Sequence, residues 1–140
     1  MDAGAHRPTR QTEPLVIVID ASALLALALK EPGHEKVTGH LNRSLISSVN
    51  FSEVLARLAR TGISPREAGP RFAELGVTIV PFDSEHATIA AEIREHARAA
   101  GLGLADCCCL ALALQQKLSV LTADRIWKSL GLALEIELVR

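Results

Sequence analysis

Two hydrophobic periodicities alternate along this chain. Residues 15–19 form an unbroken, β-rich apolar run, the pattern of a central parallel strand covered on both faces. Residues 21–29 read as a helix stopped by Glu31, Pro32 and Gly33, and 34–41 as a second, weaker helix. A short strand is expected at 45–47. The stretch 49–60 puts Phe51, Val54, Leu55 and Leu58 on one face, which predicts a strong helix ending at Gly62. Ser64 followed by Pro65 opens the next helix, a cap with proline behind it, and Gly76 stops it after Leu75. A strand at 77–80 leads to a long helix capped by Asp83 or Ser84 and running to Ala100. Residues 106–117 are apolar nearly all round, so that helix should be deeply buried. A strand at 118–121, a short helix at 124–130 and an edge-type strand at 134–138 complete the pattern.

Strands alternating with helices predict an α/β fold with a parallel, doubly wound sheet. Right-handed crossovers then bring every strand-to-helix junction to one edge. Residues 15–140 read as one domain. Residues 1–14 are polar, lack periodicity and read as a disordered leader. No internal repeat or low-complexity segment interrupts the pattern.

Four acids fall near those junctions: Asp20 after the first strand, Glu53 in the first turns of a helix, Asp106 at the head of the apolar helix and Asp124 after the fourth strand. Carboxylates gathered on one edge repel one another unless a cation neutralises them, and oxygen-only donors suit Mg²⁺ or Mn²⁺. Taken singly, Asp20, Asp106 and Asp124 also read as ordinary helix caps, as Asp83 does. Glu53 does not, because glutamate caps poorly and Ser47 or Ser48 is the better cap. It shares a polar helix face with Asn50, Arg57 and Arg60, and Glu53 with Arg57 is an i,i+4 pair. Asp106 heads a helix too apolar to be exposed, so its charge needs a partner. Ser22 and Thr122 stand two residues from Asp20 and Asp124. Either could orient a carboxylate, although capping is the first expectation for Ser22.

Composition narrows the chemistry. The formal net charge is −1, so no global basic field draws in a polyanion; Arg57, Arg60, Arg94, Arg98, Arg125 and Lys128 are the residues that could form a local patch. With no Tyr, one Trp and three Phe, aromatic base stacking is poorly supplied. Cys107, Cys108 and Cys109 are neighbours on a helix, point about 100° apart and cannot converge on zinc; they read as small buried residues of a reducing cytosol. No membrane span is expected. A phosphate-binding glycine loop and HExxH are missing, and surface positions are expected for His34, His40, His86 and His96.

The strings Val18-Ile-Asp-Ala-Ser-Ala-Leu-Leu25, Ser47-Ser-Val-Asn-Phe-Ser-Glu-Val54, Leu104-Ala-Asp-Cys-Cys-Cys-Leu110 and Leu121-Thr-Ala-Asp-Arg-Ile-Trp127 together resemble PIN-domain ribonucleases, and among them the VapC toxins of VapBC toxin–antitoxin modules. The resemblance runs from about Leu15 to the C-terminus. It implies a PIN fold, a parallel sheet of about five strands between helices. It implies a Mg²⁺- or Mn²⁺-dependent endoribonuclease that inhibits translation until an antitoxin neutralises it. Asp20, Glu53, Asp106 and Asp124 match the catalytic and metal-binding acids, and Ser22 and Thr122 match polar positions beside them; Asn50, on the face of Glu53, is a further supporting polar candidate, and Arg125 and Lys128 are the candidates to hold RNA at the rim. A homodimer, a hetero-oligomer with a VapB-like antitoxin, and a cytoplasmic location are also implied. Three other readings compete: a receiver-like domain, a phosphatase with an aspartyl nucleophile, and a catalytically silent partner-binding module. The first lacks paired acids at the first strand and the second lacks an acid at position 22.

Overall fold

The computed structural model describes residues 15–140, and the leader expected at 1–14 lies outside them. Its strands are β1 (Ile17–Ile19), β2 (Ser44–Ser47), β3 (Val77–Val80), β4 (Ser119–Thr122) and β5 (Ile136–Leu138). Its helices are α1 (Ala21–Ala28), α2 (His34–His40), α3 (Ser48–Ala59), α4 (Pro65–Glu74), α5 (Ser84–Ala99) and α6 (Leu104–Gln116), with 3-10 turns at Leu41–Arg43 and Arg125–Ser129. The strands form one sheet in the order β3-β2-β1-β4-β5, and every pairing is parallel. This is the expected α/β architecture.

Strand β1 explains why its run is apolar throughout. Side chains alternate across a strand, so Ile17 and Ile19 enter one core with residues of α1 to α4, while Val18 enters the other with α5 and α6. Three layers result, helices on either side of the sheet. The ladder begins at Ile17, opposite Ser44 and Ser119. Leu15 and Val16, expected in the same strand, stand before that first pair, and Leu15 is 80% exposed.

Helix α6 is buried along its middle, from Cys107 to Ala113. It starts two residues before Asp106, because Gly103 is the capping position and the Asp106 carboxylate reaches back to it. The helix expected at 124–130 is a 3-10 turn around buried Trp127, closed by short-range bonds such as Leu130 N–H to the Trp127 carbonyl. Gly76 ends α4's connection with φ +101°, where an added Cβ would sit 2.6 Å from the Asn42 Cα. Among the described residues no helix is long and apolar enough to cross a membrane.

Candidate active site

From β1 the chain steps outward to β2 and β3, then returns to place β4 on the other side of β1. In open parallel sheets the crevice at that reversal, outside the carboxyl ends of the strands, is where ligands bind. Asp20 follows β1 and Thr122 ends β4, so both stand at its mouth.

Their side chains bond directly. The Thr122 hydroxyl donates to Asp20 Oδ2 at 2.7 Å and accepts the Asp124 N–H at 3.0 Å. The Ser22 hydroxyl faces both Asp20 oxygens, at 2.8 and 2.9 Å, and accepts the Ala123 N–H at 2.9 Å. Ser22 is therefore no cap; it ties the start of α1 to the residue after β4. The Ala23 N–H donates to Asp20 Oδ1 at 2.8 Å, which makes Asp20 the N-cap of α1 as well. Three donors hold a carboxylate only 4% exposed. Its pKa is raised from 3.8 to about 6: burial pushes it up most, the bonds from Thr122, Ala23 and Ser22 oppose the rise, and the Asp106 charge adds to it.

Asp106 is half-buried in the first turn of α6, with Oδ2 accepting the Gly103 N–H at 3.0 Å. Burial raises its pKa too, the Gly103 bond opposes this, and the Asp124 charge adds to the rise. Asp124 caps the 3-10 turn through the Ile126 N–H at 3.1 Å. Asp20 and Asp124 are thus N-caps and Asp106 bonds back to the cap from the first turn, yet the three stay within electrostatic reach of one another: Asp106 acts on Asp20, and Asp124 on Asp106. Capping and a place at the sheet edge coexist for Asp20 and Asp124, which follow β1 and β4, while Asp106 heads a helix that follows α5. Among the described residues neither Asp20 nor Asp106 forms an ion pair.

Glu53 lies exposed in the second turn of α3, whose cap is Ser47. Its partner is Asn50, whose amide donates to Oε1 at 3.0 Å; no ion pair with Arg57 occurs among the described residues. The same amide donates to the Ala105 carbonyl, also at 3.0 Å, so Asn50 joins α3 to the start of α6.

Among the described residues no three His, Cys, Asp or Glu side chains are already grouped around one ion position. Mg²⁺ does not need such a cage, because it keeps several waters and takes one or two carboxylates. The residues fit that demand. The donor set is all oxygen, Asp20 has about four lone-pair sites for three donors, and Asn50 Oδ1 is buried with no partner.

Other expected positions fare unevenly. Arg125 is exposed and donates to the Arg140 carbonyl at 3.0 Å, while exposed Lys128 borders a shallow cavity with Lys36, Glu135 and Glu137, a mixed rather than basic surface. Arg98 pairs with Glu95, and Arg94 donates to the Leu102 carbonyl. The three cysteines are buried, and burial raises all three thiol pKa values. His86 is not a surface residue. It is 2% exposed, with Nε2 2.7 Å from Gln115 Oε1. The signal was its place on the α5 stripe with Ala90 and Ala97, masked by the adjoining cap Asp83. The bridge from Asn50 to α6 had no signal in the sequence, because it joins residues 55 positions apart.

Comparison with known proteins adds a family. The PIN domain family model matches residues 17–132. No curated protein matches the sequence. Among solved structures, the chain is similar to a DNA-bound VapBC from Salmonella typhimurium, at 19% identity and TM-score 0.68, covering 91% of this chain and 100% of that one. It is similar to a toxin–antitoxin complex from Klebsiella pneumoniae at 18% and 0.66, covering 86% and 99%. FitAcB from Neisseria gonorrhoeae gives 23% and 0.65, covering 87% and 96%. At these identities the likeness is one of fold.

Proposed function

The chain belongs to the PIN domain family, and on that premise we propose that it is a Mg²⁺- or Mn²⁺-dependent endoribonuclease, the VapC-type toxin of a toxin–antitoxin module. The observation that carries this reading is Asp20: a buried carboxylate with three hydrogen-bond donors and no cation partner among the described residues, beside two further acids at the sheet's reversal point. A buried charge of that kind calls for a counter-ion.

Asp20 and Asp106 would hold the metal, with Glu53 and Asp124 binding directly or through water. When bound, the metal polarises the scissile phosphate and lowers the pKa of water. Ser22 and Thr122 hold both Asp20 oxygens, so the carboxylate meets its ligand without reorienting. Glu53, exposed at the rim, takes the proton of the attacking water as general base. Attack by water, not by the ribose 2′-OH, leaves a 5′-phosphate and a 3′-hydroxyl. Arg125 and Lys128 hold RNA at the rim. Solved structures of similar fold are named as VapBC complexes, which supports a VapB-like antitoxin that covers the site. The reading includes a homodimer working in the cytoplasm, where RNA cleavage inhibits translation.

The test is incubation of total RNA with Mg²⁺ and wild-type protein, Asp106→Asn or Asp20→Ala, followed by mapping of the cut ends. Cleavage by wild type alone, stopped by EDTA and leaving 5′-phosphates, is expected. Equal cleavage by folded variants, or full activity in excess EDTA, would overturn the reading.

A further inference from the structure

Asn50 is a buried amide. It is 1% exposed in the first turn of α3. Its Nδ2 donates at 3.0 Å to Glu53 Oε1 and at 3.0 Å to the Ala105 carbonyl. Both partners are acceptors, so the orientation of the amide is forced: turning it over would set oxygen against oxygen twice. The cost is a buried Oδ1 with no partner. Buried acceptors are normally satisfied, and an exception calls for a reason.

The reason lies in what the amide connects. Glu53 is three residues after Asn50 on α3, and Ala105 immediately precedes Asp106 on α6. One side chain therefore fastens the acid of one helix to the backbone beside the acid of another, joining residues 55 positions apart in sequence. Glu53 stands on an exposed helix face, where a free glutamate would sample many rotamers, and the Asn50 amide holds Oε1 in one of them.

We propose that Asn50 is a positioning residue. It sets Glu53 against the start of α6 before any cation arrives, and its unpartnered carbonyl receives a water inside the cleft. This rests on the reading of the four acids as a cation site, and deepens it. A purely structural role for Asn50 makes a different prediction, because the amide's departure would then alter stability and leave cation affinity alone.

The experiment measures Mn²⁺ binding by calorimetry on the full-length protein, for wild type, Asn50→Leu, Asn50→Ser and Asp20→Asn, with thermal melting of each. Leucine nearly matches the amide in shape; it removes the unpaired oxygen and with it the donor to Glu53 and the Ala105 carbonyl, so thermal melting reports whether the fold holds. Mn²⁺ affinity of Asn50→Leu should fall by roughly 10- to 100-fold, the loss typical of an outer-shell partner. Asn50→Ser, with one donor left, should fall between, and it carries the test if the leucine variant does not fold. A folded variant whose affinity stays within about twofold of wild type, while Asp20→Asn has lost binding, overturns the positioning role and leaves the site intact. Wild-type affinity in Asp20→Asn as well would overturn the cation site itself.

Discussion

Asp20→Asn should stabilise the metal-free protein while ending its cation binding. The Asp20 carboxyl has a folded pKa of about 6 against an ordinary value of 3.8. A group with a raised folded pKa contributes stability that is fully present below the unfolded pKa and lost as pH rises through the folded one. The gap of about 2 pH units, at about 1.36 kcal/mol each, amounts to about 3 kcal/mol, present below about pH 4 and gone by about pH 7. Asparagine carries no charge to desolvate, so the loss does not occur in the variant. Its single oxygen accepts fewer of the bonds from Ser22, Thr122 and Ala23, which costs about 1 kcal/mol. The net gain at pH 8 is about 1–2 kcal/mol, or roughly 2–8 °C in melting temperature for a domain of this size. Urea unfolding in EDTA at pH 8 and pH 4.5 measures it. The variant should be the more stable at pH 8 and should lose its advantage at pH 4.5. Added Mg²⁺ should then stabilise wild type and not the variant. A variant less stable at pH 8, or a difference equal at both pH values, would refute the argument.

Two further outcomes follow from the same geometry. Cation binding must displace the Asp20 proton, so Mn²⁺ affinity should be flat above about pH 7 and fall about tenfold per unit below about pH 6, as titration calorimetry across pH would show. Thr122→Val keeps the shape but removes the donor to Asp20 and the acceptor of the Asp124 N–H. It should cost about 1–3 kcal/mol in urea unfolding and move the pH midpoint of Mn²⁺ binding upward; an unchanged midpoint would show that the hydroxyl does not tune Asp20.

Much of this fold was legible because its periodicities are clean. The both-faced apolar run around Val18 and the near-solid apolar helix around Leu110 admit few placements other than a central strand and a buried helix. What misled was local competition. Leu15 looks like strand but precedes the first paired residue, and Asp106 looks like a helix head but bonds back to Gly103 from within the first turn. The candidate acids were legible by their junctions. Their supports were not, because Ser22 reaches Ala123 and Asn50 reaches Ala105 through space. Glu53 and Arg57, paired by helical spacing, part because the amide of Asn50 offers a nearer fixed donor.

The cysteine triplet has a practical consequence. Cys107 and Cys109 are 0% exposed inside one core, and Cys108 between them is 5% exposed. A thiol reagent can reach the first and last only when α6 leaves the sheet. Labelling rate therefore times the opening of the segment that carries Asp106, and it does so with the natural chain. Masses differing by one, two or three adducts would show whether that helix peels away residue by residue or detaches as one piece, and whether a bound cation holds it down.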